Sequence, residues 1–70
     1  MVAALRAWRR ERSKTDGVPP YVVFNDATML VIAAMRPATP RQLLAVPGIG
    51  ARKLEDYGDE ILAIVAEIDE

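Results

Sequence analysis

The 70-residue chain contains no cysteine and no histidine. Those absences exclude a disulfide framework, a Cys/His zinc site, a thiol nucleophile and a Ser-His-Asp triad built from this chain alone. Any chemistry would fall to carboxylates, lysines and hydroxyls. Long hydrophobic runs are missing too. The longest, Met29 to Met35, is seven residues, against the ~18–20 that a membrane helix needs. The N-terminus, MVAALRAWRRERSK, places its apolar residues before its charges, the reverse of a secretory signal. A chain that neither spans nor enters a bilayer is expected, in the cytoplasm, with which the lack of cysteine is compatible. What the chain does have is 51% hydrophobic residues at a mean hydropathy of +0.08, the composition of a packed globular domain rather than of a disordered tail. A chain this short makes one small domain that buries only ~60% of its unfolded surface, with a core supplying ~3–5 kcal/mol.

The net charge of −1 conceals a strong division along the chain. Residues 1–16 sum to +3, residues 17–35 hold only Asp26, residues 36–54 sum to +4 with no acid, and residues 55–70 carry seven acids with no base. Two basic segments therefore precede an acidic end, and the fold decides whether the basic segments share a face.

The spacing predicts helices. Leu5 and Trp8 lie at i, i+3, while Arg6, Arg10 and Lys14 repeat at i, i+4 as a basic stripe. Gly17 is a plausible stop, and Pro19-Pro20 forbids continuation. Val18 to Phe24 is β-branched, but one strand has no partner here, so an extended connector packed on the core is expected. Asn25 reads as an N-cap with Asp26 in the first turn, and Ala27 to Met35, apolar almost all round, as a central buried helix that carries Met29 and Met35 and ends at Pro37. Thr39-Pro40 starts a short helix from Arg41 to Ala45 that buries Leu43 and Leu44. Another runs from Ala51 to Tyr57 with Leu54 inward, closed by Gly58. Asp59 then caps a last helix whose apolar face is Ile61, Leu62, Ile64, Val65 and Ile68. The expected fold is all-α, a compact bundle of about five short helices.

Between the third and fourth of these helices stands Val46-Pro-Gly-Ile-Gly50, followed by Arg52 and Lys53. Gly48 can take positive φ, Ile49 can plug the core, and Gly50 lets another backbone come close. The next helix then starts with unpaired N–H groups that suit a phosphate oxygen, beside two cations. That is a helix-hairpin-helix arrangement, a sequence-independent reader of the nucleic-acid backbone. A plain αα-corner explains the same glycines, because Gly-x-Gly alone is a weak signal.

Leu5 with Trp8-Arg9, the stretch from Val18 to Leu30 that contains Pro-Pro-Tyr-Val-Val-Phe-Asn-Asp-Ala-Thr, Pro37, and Leu44-x-x-Pro-Gly-Ile-Gly-x-x-Lys-Leu-x-x-Tyr-Gly58 resemble the HRDC (helicase and RNase D C-terminal) family in order. The resemblance runs from about Leu5 to Ile68, within a single domain of residues 1–70. It implies a five-helix bundle carried by RecQ-type helicases, UvrD-like bacterial helicases and RNase D. It further implies an auxiliary module without catalytic activity or cofactor of its own, the ATP and Mg being used by the parent helicase. Arg12 departs from the pattern, since the family more often has an apolar or small residue there; either its stem packs and its head reaches water, or the first helix is rotated slightly.

Family surfaces range from basic to acidic, so binding has to be argued from these residues. The cationic candidates are Arg6, Arg9, Arg10 and Lys14 in the first helix and Arg36, Arg41, Arg52 and Lys53 around the hairpin, with Gly48 and Gly50 shaping the turn. Each alone is as well read as a solvated charge; their clustering favours phosphate contact. Tyr21, stiffened by two prolines, is the aromatic candidate for base stacking, the other reading being a ring packed on the core. Trp8, Phe24 and Tyr57 read as core or core edge. Glu55, Asp56, Asp59, Glu60, Glu67, Asp69 and Glu70 read as solvated charge, with Asp59 and Glu60 also favouring the start of the last helix. The expected function is weak, largely sequence-independent binding of single-stranded or junction DNA by a monomer at the bacterial nucleoid, in DNA repair and recombination. The other reading is a module that docks on protein, or on other domains of the parent helicase, without touching DNA.

Overall fold

A computed structural model describes residues 1–67, which form five helices and no strand. The first, α1 (Val2–Asp16), buries Leu5 and Ser13. It ends where Gly17 takes φ 68, its N–H donating to Lys14 O at 3.2 Å while Val18 N–H donates to Ser13 O at 3.0 Å. This Schellman pair satisfies two of the last carbonyls and needs a residue without a Cβ penalty in the left-handed region.

The expected extended connector is instead interrupted by one helical turn, α2 (Pro20–Val23), set between an extended Pro19 and an extended Phe24. Pro20 occupies the first helical position, where its fixed φ suits the turn and its missing N–H costs nothing. The turn rotates Val23 into the core and leaves Tyr21 68% exposed.

In α3 (Asp26–Met35), Asn25 caps as expected, its Oδ1 accepting from Thr28 N–H at 2.8 Å. Thr28, Met29 and Ile32 face inward, but Leu30 and Met35 are 56% and 50% exposed. The expectation of an all-round buried helix is thus corrected: a bundle this small covers one side of α3 only. Thr39 likewise caps α4 (Pro40–Leu44) by accepting from Gln42 N–H, and Gln42 Oε1 reaches back to Ala38 N–H at 2.7 Å. Leu43 is buried whereas Leu44 is exposed, because neighbouring residues of a helix point about 100° apart and α4 meets the core on one side.

The largest difference lies in α5 (Ala51–Glu67), one helix where two were expected. Gly58 sits in its interior, buried, rather than closing a helix. A Cβ there would come within 2.9 Å of Leu54 Cδ1 of the same helix and 3.9 Å of Leu43 Cδ2 of α4, so this glycine makes room for the Leu54 side chain. Asp59 and Glu60 are consequently mid-helix and cap nothing. Ile61 and Val65 are buried and Leu62 and Ile64 half-buried, as the periodicity predicts, while Ile68, Asp69 and Glu70 lie outside the described residues.

Helix α1 is the hub, packing on α2, α3 and α5. The Trp8 ring lies 5.9 Å from Phe24 and 5.8 Å, edge-on, from Tyr57, so the three aromatics join α1, the α2–α3 link and α5, with Phe24 and Tyr57 in the core as expected and Trp8 half-buried at its edge. Two arginines hold this joint. Arg9 Nη1 donates to Phe24 O at 3.0 Å and pairs with Asp26 at 2.9 Å. Arg12 lies over the Tyr57 ring at 5.2 Å and pairs with Asp16 and with Glu60 of α5, each at 3.3 Å. Of the two readings for Arg12, the packed stem with its head at the surface is the one observed.

Tyr57 donates its hydroxyl hydrogen to Asp16 Oδ2 at 2.9 Å. Burial first, then this hydrogen bond and the charge of Asp16, push the phenol above its ordinary 10.0, with Arg12 opposing. A proton held more tightly in the folded than in the unfolded chain adds stability that is complete below pH 10.0 and is lost as pH rises through the folded value. Tyr57→Phe is therefore expected to lower urea-unfolding stability by about 1 kcal/mol at neutral pH, and that gap should narrow above the free phenol's value of 10.0. A gap constant through alkaline pH would contradict the assignment.

A second prediction concerns the hairpin. Gly48 has φ 94, and a Cβ on it would overlap Thr28 Oγ1, whereas a Cβ on Gly50 meets nothing within 4 Å. Gly48→Ala should cost about 2–4 kcal/mol through left-handed strain and loss of the Thr28 contact, and Gly50→Ala less than about 1 kcal/mol, compared in the same urea titration.

Candidate nucleic-acid interface

The hairpin between α4 and α5 is fixed from both ends. Val46 and Ile49 are buried and anchor the turn in the core, as expected of Ile49, with Val46 N–H donating to Leu43 O and Ile49 N–H to Val46 O, both at 3.0 Å. From the other side, Thr28 Oγ1 of α3 donates to Pro47 O at 3.0 Å and lies against Gly48. A threonine inside an apolar run is the one sequence signal of this lock, and spacing alone does not find it. Among the described residues nothing lies within 4 Å of where a Cβ on Gly50 would stand, so this glycine lacks the close backbone approach expected of it. Its carbonyl accepts the first helical bond of α5, from Leu54 N–H at 3.0 Å, so the N–H groups of Ala51, Arg52 and Lys53 lie ahead of the helical ladder.

The candidate cations differ in what holds them. Arg9 is corrected from a surface candidate to a structural residue, its side chain being only 11% exposed and held by Asp26 and Phe24. Arg6, Arg10 and Arg41 are exposed and Lys53 half-buried, and among the described residues no carboxylate pairs with any of them. Lys14 reaches Glu11 only at 3.9 Å and Arg52 meets Asp56 at 3.3 Å, both on the surface. Exposed pairs of this kind are worth ~0–1 kcal/mol and yield readily to a phosphate. Arg36 closes α3 in a left-handed conformation, φ 50, with its N–H on Ile32 O.

Pairing of Asp16 with Tyr57 and of Arg12 with Glu60 makes α1 and α5 antiparallel. This register places the start of α5, with Lys53, toward the C-terminal end of α1, nearer Lys14 than Arg6. The basic candidates thus form a path rather than one pocket: Arg6, Arg10 and Lys14 on the outer side of α1, then the start of α5 toward its end. Helix α2 packs on α1 and Phe24, just beyond it, meets Arg9, while Tyr21 is exposed instead of packing its ring on the core.

Asn25, Ala27, Thr28, Val31, Pro47 and Gly48 line an open cavity of about 220 Å³ next to the hairpin. Among the described residues no group of three or more acids is placed to hold a metal ion, and no helix is long and apolar enough to cross a membrane.

Comparison with known proteins bears on this geometry directly. The family model of the HRDC domain matches residues 1–65. The chain is 46% identical over 65 residues to the ATP-dependent DNA helicase UvrD2 of Mycobacterium tuberculosis, covering 93% of this chain and 9% of that protein. It is 36% identical over 67 residues to the ATP-dependent DNA helicase RecQ of Haemophilus influenzae, covering 96% of this chain and 11% of that protein. It thus spans about a tenth of the length of these curated relatives. Among solved structures, D. radiodurans RecQ HRDC domain 3 superposes with a TM-score of 0.89 at 42% identity, covering 91% of this chain and 84% of that one. Sequence and backbone agree over nearly the whole described bundle, hairpin included, and on that ground the chain belongs to the HRDC domain family.

Proposed function

We propose that residues 1–70 form one accessory, non-catalytic domain of a DNA helicase, which holds single-stranded or junction DNA by its phosphates with little regard to sequence. The observation that carries this reading is the set of cations without carboxylate partners, Arg6, Arg10, Arg41 and Lys53, combined with the open start of α5. Arginines 9 and 12 are committed to the fold, so the charge left on the surface is concentrated on the outer side of α1 and at the hairpin. Tyr21 adds an exposed ring on which a base can stack. The domain needs no cofactor in this role; ATP and Mg act in the motor of the parent enzyme, in the cytoplasm, during repair and recombination.

The second reading, docking on a basic partner, is favoured by Glu55, Asp59 and Glu67, exposed on α5 and unpaired among the described residues. Chemical-shift mapping with DNA separates the two: Arg52, Lys53 and α1 should move under the first reading, and only α5 carboxylate positions, or nothing, under the second.

Two to four phosphate contacts to a single strand imply a salt slope of about −1.4 to −2.8, so raising salt from 50 to 200 mM should weaken binding by about sevenfold to fiftyfold. Fluorescence anisotropy with a labelled oligonucleotide measures this, and no binding at the lower salt would remove the proposal. In the same assay Arg10→Glu and Lys53→Glu should weaken binding most, about threefold to tenfold each, while Glu67→Ala leaves it unchanged or tightens it.

A further inference from the structure

The cavity beside the hairpin is lined by no cation. Its lining is Ala27, Val31 and Pro47, with Gly48 contributing backbone, Thr28 and the Asn25 side chain. Among the polar groups of the lining side chains, Asn25 Nδ2 is the one left free. Asn25 Oδ1 is occupied by Thr28 N–H at 2.8 Å and the Thr28 hydroxyl by Pro47 O at 3.0 Å, but among the described residues nothing accepts from Asn25 Nδ2.

We propose that this cavity takes one unstacked nucleobase of a single strand whose phosphate lies at the neighbouring start of α5; the inference rests on the nucleic-acid reading above. Size limits the occupant. A volume of about 220 Å³ equals that of about seven waters at ~30 Å³ each and lies below the ~300 Å³ at which drug-sized pockets begin. One planar ring system fits, and a folded peptide segment does not. Chemistry limits it further. Apolar side chains offer surface to the ring faces, while a planar amide with only its donor free matches the ring-carbonyl and ring-nitrogen acceptors on a base edge.

Position links the cavity to the phosphate site. Gly48 lines the cavity, and Ala51, three residues on, presents a free N–H at the start of α5. Three residues span at most ~10 Å, comparable with the reach of one nucleotide from its base to its own phosphate. A base inside a duplex is stacked and cannot enter, so the cavity selects single strands or unpaired ends. The Thr28–Pro47 bond then has a second effect, since it fixes the wall formed by Pro47 and Gly48 against α3 and keeps the cavity preformed.

The test is an amide chemical-shift titration of this chain with a thymidine oligomer and with an abasic deoxyribose-phosphate oligomer of equal length. Both should shift Ala51, Arg52 and Lys53, and only the base-bearing oligomer should shift Ala27, Val31 and Gly48. Equal shifts at these three with both oligomers would overturn the cavity assignment and leave the nucleic-acid reading standing. No shift anywhere with either would overturn both. Asn25→Ser keeps a capping oxygen and removes the amide donor. Its urea midpoint should be nearly unchanged, the cavity resonances should need about threefold to tenfold more thymidine oligomer to saturate, and the abasic titration should be unaltered. Saturation at the wild-type concentration of thymidine oligomer would also overturn the assignment.

Discussion

Trp8 is the side chain on which the rest of the bundle is assembled. Its indole touches Phe24 on one side and Tyr57 on the other, so one residue of α1 fixes both the link that leads into α3 and the middle of α5. A chain of this length has few large side chains with which to fill a core, and aromatic pairs in offset or edge-on geometry each add about 0.5–1.5 kcal/mol beyond their burial. Once Trp8 is seated, the helices it touches have little freedom to slide. Leu5, Met29, Ile32, Leu43 and Ile61 then complete a fully buried core beside it.

Holding that joint determines which charges of α1 face outward. Arg9 and Arg12 follow Trp8 by one and four residues and reach different partners, one Phe24 and Asp26, the other Tyr57, Asp16 and Glu60. The separate i, i+4 series Arg6, Arg10 and Lys14 falls on the outer surface: Arg6 and Arg10 have no packing to support, and Lys14 pairs only loosely with Glu11. Packing therefore sorts the cations of one helix into a structural pair and a surface stripe, and the stripe follows from where Trp8 points. The hairpin is placed through the same framework, because Asp26 is tied to Arg9 and, within the same turn of α3, Thr28 bonds Pro47.

How much of this is legible in the sequence depends on how local each cause is. Asn25 and Thr39-Pro40 can be read directly, since a cap is a bond between a side chain and a backbone N–H two or three residues away. Gly17 is read correctly for the same reason. Gly58 is misread because the role of a helix glycine depends on what packs against it, here Leu54 and Leu43, which no local rule supplies. The turn at Pro20–Val23 is missed because β-branched residues outweigh a proline pair in any propensity sum, while the burial of Val23 decides the outcome. At the candidate site, the hairpin and its cations are visible as a motif. The separation of Arg9 from Arg10 is not, because it requires the position of Phe24 O; nor is the cavity, which forms only when Thr28 meets the turn 19 residues away.

The near-zero net charge says little about what such a molecule attracts. With extents of 30 × 25 × 20 Å, opposite faces stand farther apart than the ~8 Å screening length at physiological ionic strength. A ligand at the outer side of α1 responds to Arg6, Arg10 and Lys14, and hardly to Glu55, Asp59 or Glu67 on α5. Averaging over the chain therefore cancels charges that act at different places on the surface. The acids of α5 have a directional effect instead: a polyanion that follows the basic path to the start of α5 meets repulsion if it continues along that helix. In the proposed reading, this turns the strand at the hairpin, beside the cavity next to Pro47 and Gly48.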